Sequence, residues 1–535
     1  PEGFNFQLLE SNWDHFEPAI VQCMERVPML ETAGIKELIN GPESFTPDGN
    51  FILGESPEVE NFFVGAGFNA FGIASGGGAG KALAEWIIAG EPAMDLGPVD
   101  IRRFGPHHGD IDWVRNRTLE LYGKHYTLPW PFEEHESCRP LKTSQLYERL
   151  AEQGACLGEK MGWERPNWFA PEGVEAKDEY SFYRQNWFEH VAEEHKAVRE
   201  RVGLFDQSSF AKFEMRGPDA ETALSWICAN NVTKPVGRVT YTQMLNTRGG
   251  IECDLTVARF ADDLFYIVTG TGFRTHDFTW IKRNIPADCD AQLVDVTDEG
   301  FALSLMGPRA RDVLSSVTGD DVSNEGFPFG HCHEITIAGA TVRALRITYA
   351  GELGWELHGE KGDALAVYDA LMAAGEPHGI SNAGYRAIES LRLEKGFRAW
   401  AADIGPDYSP FESDLGWAVK LKSNTPFMGR EAAAEKKANV QNKLLACFTV
   451  DGVDNVLLGR ETIYRNGERV GWLSSAGWGY TLQTNIGFGY VRNADGVTED
   501  YLLAGEYELE VATQRIPCSI HLKPLYDPDM SRVKV

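Results

Sequence analysis

Chemistry that depends on paired cysteines is missing from this sequence. Its nine cysteines are scattered, odd in number and never spaced Cys-x-x-Cys, which argues against a disulfide framework and a zinc knuckle and points to a reducing compartment, either bacterial cytoplasm or mitochondrial matrix. Positive charge is short as well. The 50 Lys and Arg against 79 Asp and Glu leave a net charge of −29, and such a surface repels phosphate backbones and anionic lipid headgroups. Nucleic acid and membrane surfaces are therefore disfavoured as partners, and an anionic cofactor needs local arginines, lysines or helix N-termini to bind. Low-complexity tracts and short repeats are lacking too. The uncharged run at residues 62–80 holds seven glycines and Asn69, which speaks against a lipid-facing helix and reads as a cofactor loop. The cluster His331-Cys332-His333 alternates between faces if it lies in a strand, so its side chains do not converge on one ion. No metal site is expected.

What is present is ample core-forming material, 43% hydrophobic over 535 residues, which is more than one core accommodates and implies several domains. Residues 61–65 read as a short buried strand, 66–80 as a glycine-rich loop and 81–88 as an apolar helix. Residues 91–171 are rich in Pro, Trp, His and charge, with one helix around 111–121, and read as a connector packed against its neighbours. Helices and strands then mix. Two helices, 363–374 and 385–395, stop at Gly375 and Gly396, while 264–269 and 344–350 read as strands. The last hundred residues alternate apolar and polar positions, and Asn466-Gly467 is a strong hairpin turn, so a small antiparallel barrel or sandwich is expected.

Three segments carry candidate chemistry. A strand from Tyr241 turns at Arg248-Gly249-Gly250 and returns, and period two puts Ile251, Cys253, Leu255 and Val257 on one face and Glu252, Asp254 and Thr256 on the other. Asp254 is then either an acid projecting from a rigid element or one on the wet face of an amphipathic strand. In Tyr349-Ala-Gly-Glu-Leu-Gly-Trp-Glu, a hairpin turn at residues 351–354 would set Tyr349 opposite Glu356, an aromatic platform beside a carboxylate that suits a flat heterocycle with ring N–H donors. In the helix after Gly384, Tyr385, Ile388 and Leu391 face the core, and Arg386 turns elsewhere, where it can bind a carboxylate.

Together with Gly41-Pro-Glu-Ser-Phe-Thr-Pro-Asp, GFNAFGIASGGGAG, Asp100-Ile-Arg-Arg-Phe, Gly162-Trp-Glu-Arg-Pro, SNEGFPF, NAGYRAIESLRLEKGFRAW and HLKPLYDP, these segments resemble the glycine-cleavage aminomethyltransferase family. The likeness is closer to the fused form at the back of sarcosine and dimethylglycine dehydrogenases, and it runs over nearly the whole chain. It implies an α+β multidomain protein: 1–91 the C-terminal part of an FAD-dependent amine oxidoreductase domain, 92–175 a connector, 176–430 an aminomethyltransferase-like folate-binding domain, and 440–535 a C-terminal antiparallel β-barrel. By the same resemblance Asp254 matches the catalytic aspartate, and Tyr241, Tyr349, Glu356 and Arg386 match positions that line the folate site. Trp417 falls where some members place a folate-contacting aromatic. Gly67, Phe68, Asn69, Gly72 and Ile73 resemble the loop that meets the flavin ring.

The implied cofactors are tetrahydrofolate and, in the intact enzyme, FAD. The implied reaction is oxidative demethylation of sarcosine or a related N-methyl amino acid, with transfer of the one-carbon unit to give 5,10-methylenetetrahydrofolate; the electron acceptor is left open. Dimethylglycine dehydrogenases of animals tend to lack an acid at the place of Asp254, which tilts the expectation toward sarcosine. Dimethylglycine oxidation, or a stand-alone folate-binding module without oxidase activity, are the alternatives. Family members open with a nucleotide-binding half bearing Gly-x-Gly-x-x-Gly, which is not seen here, so the sequence reads as a fragment or as one partner of a split enzyme.

Overall fold

The computed structural model describes residues 7–535. Its architecture is α+β and multidomain, and it ends in a closed barrel.

The front opens with helix α1 (Trp13–Arg26), a hairpin of β1 (Ile52–Glu55) and β2 (Phe63–Ala66), and helix α2 (Gly72–Ala89). The glycine-rich loop expected at 66–80 is in fact mostly helix, since α2 begins at Gly72 and so places Gly72 and Ile73 in a first helical turn. Glycine weakens a helix, but Trp86, Ala79 and Ala82 are buried along α2, and the Trp86 ring fills the space beside Gly54 of β1. That packing outweighs local propensity. Helix α3 (Ile111–Lys124) runs past the expected 111–121. Helix α4 (Tyr147–Glu152) and a hairpin of β3 (Ala155–Lys160) and β4 (Trp163–Phe169) follow it, neither of which periodicity revealed.

Two sheets follow. The first takes β6 (Ala211–Arg216), β7 (Val239–Leu245), β8 (Ile251–Ala261), β9 (Leu264–Thr269) and β10 (Gln292–Asp295) in the order β10-β6-β9-β8-β7. The second takes β5 (Val202–Asp206), β11 (Gly300–Met306), β12 (Cys332–Ile337), β13 (Ala340–Leu345), β14 (Gly354–Glu360) and β15 (Ile380–Asn382) in the order β12-β13-β14-β11-β5-β15, with β15 parallel to β5. Each sheet buries one face under helices. Phe213, Met215, Cys253, Leu255 and Ile267 of the first pack on Leu224, Ile227 and Ile281 of α6 (Ala220–Ile227) and α7 (Arg274–Arg283). Leu303, Leu305, Val342 and Leu357 of the second pack on α8 (Ala310–Val317) and α9 (Ala364–Gly375). The opposite faces meet through Val239, Ala258, Tyr266 and Val268 against Cys332 and Leu345. A polar residue on either inner face therefore looks into the space between the sheets.

Helix α10 (Tyr385–Lys395) ends at Gly396 in the left-handed region, φ 76°. It lies against α5 (Phe188–Glu200), β4 and the barrel. The barrel comprises β16 (Lys443–Val450), β17 (Thr462–Arg465), β18 (Glu468–Gly479), β19 (Thr484–Arg492), β20 (Tyr507–Val511) and β21 (Gln514–His521), all antiparallel and closed in the order β16-β19-β18-β17-β20-β21. Asn466 and Gly467, at φ 52° and 85°, make the tight turn between β17 and β18, as that dipeptide favours. No helix among the described residues is long and apolar enough to cross a membrane.

Candidate functional site

The β7–β8 pairing sets Gln243 opposite Asp254 and Tyr241 opposite Thr256, and the alternation that buries Cys253 and Leu255 under the helices turns Asp254 into the inter-sheet space. Asp254 is thus not on a wet face. Burial pushes its carboxyl up to about 6; the Tyr241 hydroxyl and the Gln243 amide oppose that shift, while the nearby Asp277 anion adds to it. Gln243 Nε2 donates to Asp254 Oδ1 at 2.9 Å, and Gln243 Oε1 is buried without a hydrogen-bond partner. The site therefore presents a carboxylate and an unused amide oxygen side by side, both acceptors. Gln243 was legible in principle, because it sits two residues from Tyr241 on a period-two strand.

Tyr241 stacks on Trp417, centroids 5.7 Å apart at 28°, and Trp417 is 69% exposed on a single 3-10 turn at residues 416–418. Tyr349 lies in the electrostatic reach of Asp254, and burial pushes its hydroxyl above the usual phenol range. Its hydroxyl donates to the Arg398 carbonyl at 3.0 Å, and its ring stacks on Phe397. The expected hairpin at residues 351–354 does not form. Strand β13 ends at Leu345, and it is Leu345, not Tyr349, that stands opposite Glu356. The cause is Glu352, which is pulled out of any turn to meet Arg199, Arg532 and the Tyr526 hydroxyl, so residues 346–353 form a longer connection. Glu356 has its carboxylate 3.5 Å from His358 Nε2, and His358 Nδ1 in turn lies 3.2 Å from the Tyr266 hydroxyl on the facing sheet.

Arg386 sits in the first turn of α10. Its Nη2 donates to Asp178 at 2.6 Å, and its guanidinium lies over the rings of Trp187 and Phe132, while Nη1 is buried without a partner. Asp254, Tyr241, Tyr349 and Trp417 are thus drawn together, and the direct contacts of Glu356 and Arg386 run to other residues.

At the front, Gly67 and Asn69 take left-handed backbone, φ 65° and 50°. The buried Asn69 amide ties the turn to the Thr46 N–H and the Gly67 carbonyl. Phe68 stacks on Phe51. Ile73 is fully exposed, and a Cβ added at Gly76, Gly77, Gly78 or Gly80 would meet nothing within 4 Å.

Sequence reading missed a further cluster around Cys253. His276 Nδ1 lies 2.9 Å from Asp277 Oδ1, and its Nε2 lies 3.5 Å from Glu252. Burial and Arg102 push the ring's pKa down, but the two carboxylates win and hold it up at about 9. Cys253, His276 and Asp277 bring ligand-type atoms within 4.8 Å of one another, yet both ring nitrogens already face carboxylates, the arrangement of an imidazolium rather than of a metal ligand. His276 also forms part of the wall of a chamber of about 420 Å³, with Asp95, Asp100, His107, His108 and Trp400. Burial pushes His107 and His108 down to about 4.

Comparison with known families matches residues 146–423 to the GCVT N-terminal domain, 443–527 to the glycine cleavage T-protein C-terminal barrel domain, 2–86 to the FAD dependent oxidoreductase and 89–144 to its central domain. The mitochondrial sarcosine dehydrogenase of Mus musculus is 40% identical over 100% of this chain and 62% of its own length. The mitochondrial dimethylglycine dehydrogenase of Homo sapiens is 36% identical over 100% of this chain and 61% of its own. The chain thus spans about three-fifths of these relatives. The crystal structure of glycine cleavage system aminomethyltransferase T from Bartonella henselae superposes with a TM-score of 0.62 at 26% identity, covering 72% of this chain and 99% of that one.

Proposed function

Since the chain belongs to the family of sarcosine and dimethylglycine dehydrogenases, with a GCVT N-terminal domain over residues 146–423, we propose that its inter-sheet site binds a reduced folate and loads it with the one-carbon unit from oxidative demethylation of sarcosine. The observation that carries this reading is Asp254, a half-buried acid pushed up to about 6 on a rigid strand, beside an unpartnered buried amide oxygen. Pterin ring N–H groups need acceptors, and Asp254 with Gln243 Oε1 offers them next to the Tyr241–Trp417 stack. The residues present therefore fit a folate.

A folate, when bound, supplies the nucleophilic nitrogens that carry the carbon. With a folate bound, Asp254 would accept a proton from a ring nitrogen, and its carboxylate would stabilise positive charge developing nearby. Gln243 fixes the carboxylate, Tyr241 and Tyr349 wall the ring, and Glu356 completes the pterin contacts from the facing sheet. Arg386, with one unpartnered nitrogen, orients a ligand carboxylate. These are positioning roles. An FAD would meet Gly67, Phe68, Asn69, Gly72 and Ile73, where the bare glycines of α2 leave an open approach; when bound, it would supply hydride removal from the N-methyl group. The substrate is a small N-methyl amino acid, sarcosine ahead of dimethylglycine, and the residue that tilts this choice is again Asp254. The compartment is mitochondrial matrix or bacterial cytoplasm.

Asp254→Asn is expected to leave tetrahydrofolate binding nearly intact and to cut methylene transfer from formaldehyde by ~10² or more, read by a folate titration beside a turnover assay. Full transfer in the variant would remove the role. Saturable folate binding with no conversion above the spontaneous rate in the wild type would leave a binding module. Comparing kcat/KM for sarcosine and dimethylglycine in the full-length protein decides the donor.

A further inference from the structure

The chamber of about 420 Å³ carries one cation with no counter-ion of its own. Lys160, the last residue of β3, lines it beside Met161 and Gly272. Its stem runs along the 3-10 turn Thr271–Phe273, and a Cβ added at Gly272 would lie 3.0 Å from Lys160 Cε and 3.8 Å from Nζ, so the bare glycine leaves room for the side chain. Solvent reaches Lys160. The two carboxylates that act on it, Glu159 and Glu134, do so only through space, because each is taken. Glu159 accepts from Arg117 Nη1 at 2.9 Å and from the Gly162 N–H. Glu134 accepts from Asn167 Nδ2 at 2.8 Å and from the Glu159 N–H at 3.2 Å.

We propose that Lys160 is an aldehyde-capturing residue: its free amine, held beside Arg165, condenses with formaldehyde and keeps the one-carbon unit in the chamber as an imine. This rests on the reading above that oxidative demethylation releases such a unit.

The surroundings support it. The β3–β4 register sets Lys160 opposite Trp163 and Gly158 opposite Arg165, so Lys160 and Arg165 share one face of the hairpin as diagonal neighbours. Arg165 is fixed there, with Cζ 4.0 Å over the Tyr385 ring and Nε buried without a partner. Burial first, and Arg165 second, push the Lys160 ammonium below the ordinary lysine value, and an amine hemmed in beside a second cation is the kind that attacks carbonyl carbon. The other charges of the chamber are committed: Asp100 to Arg102, Asp48 to Arg103, and His276 between Glu252 and Asp277. In the capture step the amine nitrogen bonds to the aldehyde carbon, and the carbonyl oxygen leaves as water with the two protons of the amine. Water reverses the step, so no oxidant or reductant is needed. On the side of β8 the wall is formed by Phe273 and Trp400, ring centroids 4.6 Å apart, and Trp400 Nε1 donates to the carbonyl of Ile251, the first residue of the strand that bears Asp254. A carbon unit held at Lys160 is therefore kept in a chamber that abuts that strand.

The test exposes the full chain to isotopically labelled formaldehyde with cyanoborohydride near neutral pH, which reduces an imine to a methylated lysine read by peptide mass spectrometry. Labelling needs neither folate nor flavin, so it tests the capture apart from the folate reading. Lys160 is expected to take up label roughly fivefold or more faster than Lys81 of α2, whose side chain is 76% exposed, because more of it is neutral. Arg165→Gln strips the neighbouring cation and is expected to slow Lys160 toward the Lys81 rate while leaving Lys81 unchanged. A lysine that is merely accessible would label no faster than Lys81 and would ignore Arg165→Gln. Either of those results overturns the proposal, and the wild-type comparison alone decides if the variant does not fold. Selective labelling of Lys160 in a protein with no Asp254-dependent transfer would leave the capture standing and remove the folate reading instead.

Discussion

At the residue scale, an aspartate on an open strand face ionises near its ordinary value of 3.8, but Asp254 is walled in and pushed up to about 6. The folded state therefore holds the Asp254 proton more tightly than the unfolded chain does. The sign follows: the residue costs nothing below the ordinary value, and its cost grows as pH rises from 3.8 to about 6 and is complete above. Asp254→Asn is accordingly expected to raise the unfolding free energy near pH 7 by up to about 3 kcal/mol, a gain absent when urea denaturation is repeated at about pH 3.5. A stabilised yet inactive variant is what a strained functional acid leaves behind. Period two in residues 251–257 was enough to separate Asp254 from the apolar face. Its desolvation was not legible, because Tyr349, Asp277 and Arg398 come from distant parts of the chain.

At the scale of elements, α10 shows how tightly the site's scaffold is seated. Its entry residue, Gly384, has its N–H held by Glu194 Oε2 at 2.8 Å, and a Cβ there would overlap the Asn167 carbonyl at the end of β4. Gly384→Ala is expected to cost about 1–3 kcal/mol by overpacking, read as a lower urea midpoint at unchanged slope. Both α9 and α10 were marked in the sequence by apolar periodicity, and α10 by its terminal Gly396, since helix boundaries answer to local hydrogen bonding; Gly375, expected to stop α9, is instead its last residue, and a further 3-10 turn runs on to Gly379 in the left-handed region, φ 68°. The connection at residues 346–353 was not. Its sequence suits a hairpin, but the buried partners of Glu352 decide otherwise. Helix α2 errs in the opposite direction: glycine content pointed to a loop, and Trp86 made a helix.

At the scale of the whole molecule, a buried charge network ties the core around α5 and α10 to the barrel and the tail. Arg199 of α5 donates to Glu352 at 3.1 Å and to Glu394 of α10 at 3.0 Å. Glu394 accepts from the Thr481 backbone at 2.7 Å, and Arg532 joins Glu352. Arg199→Met would leave two buried carboxylates short of a counter-charge and is expected to cost ~3 kcal/mol, seen by calorimetry as a lower Tm for the transition that includes the barrel. The net charge of −29 foretold none of this, because a total says nothing about which charges are buried together.

Composition, strand and helix periods, turn dipeptides and motif order settled by themselves that this is an α+β multidomain chain with a terminal barrel and an acid displayed on a rigid strand. Those features are set by hydrogen bonding and side-chain alternation among near neighbours, which the order of residues records directly. Only the tertiary structure decided that Asp254 is desolvated beside Tyr241 and Gln243, that Leu345 rather than Tyr349 faces Glu356, and that Arg386 is held by Asp178. Desolvation and charge coupling act through space, between groups whose separation along the chain carries no trace of their distance once folded.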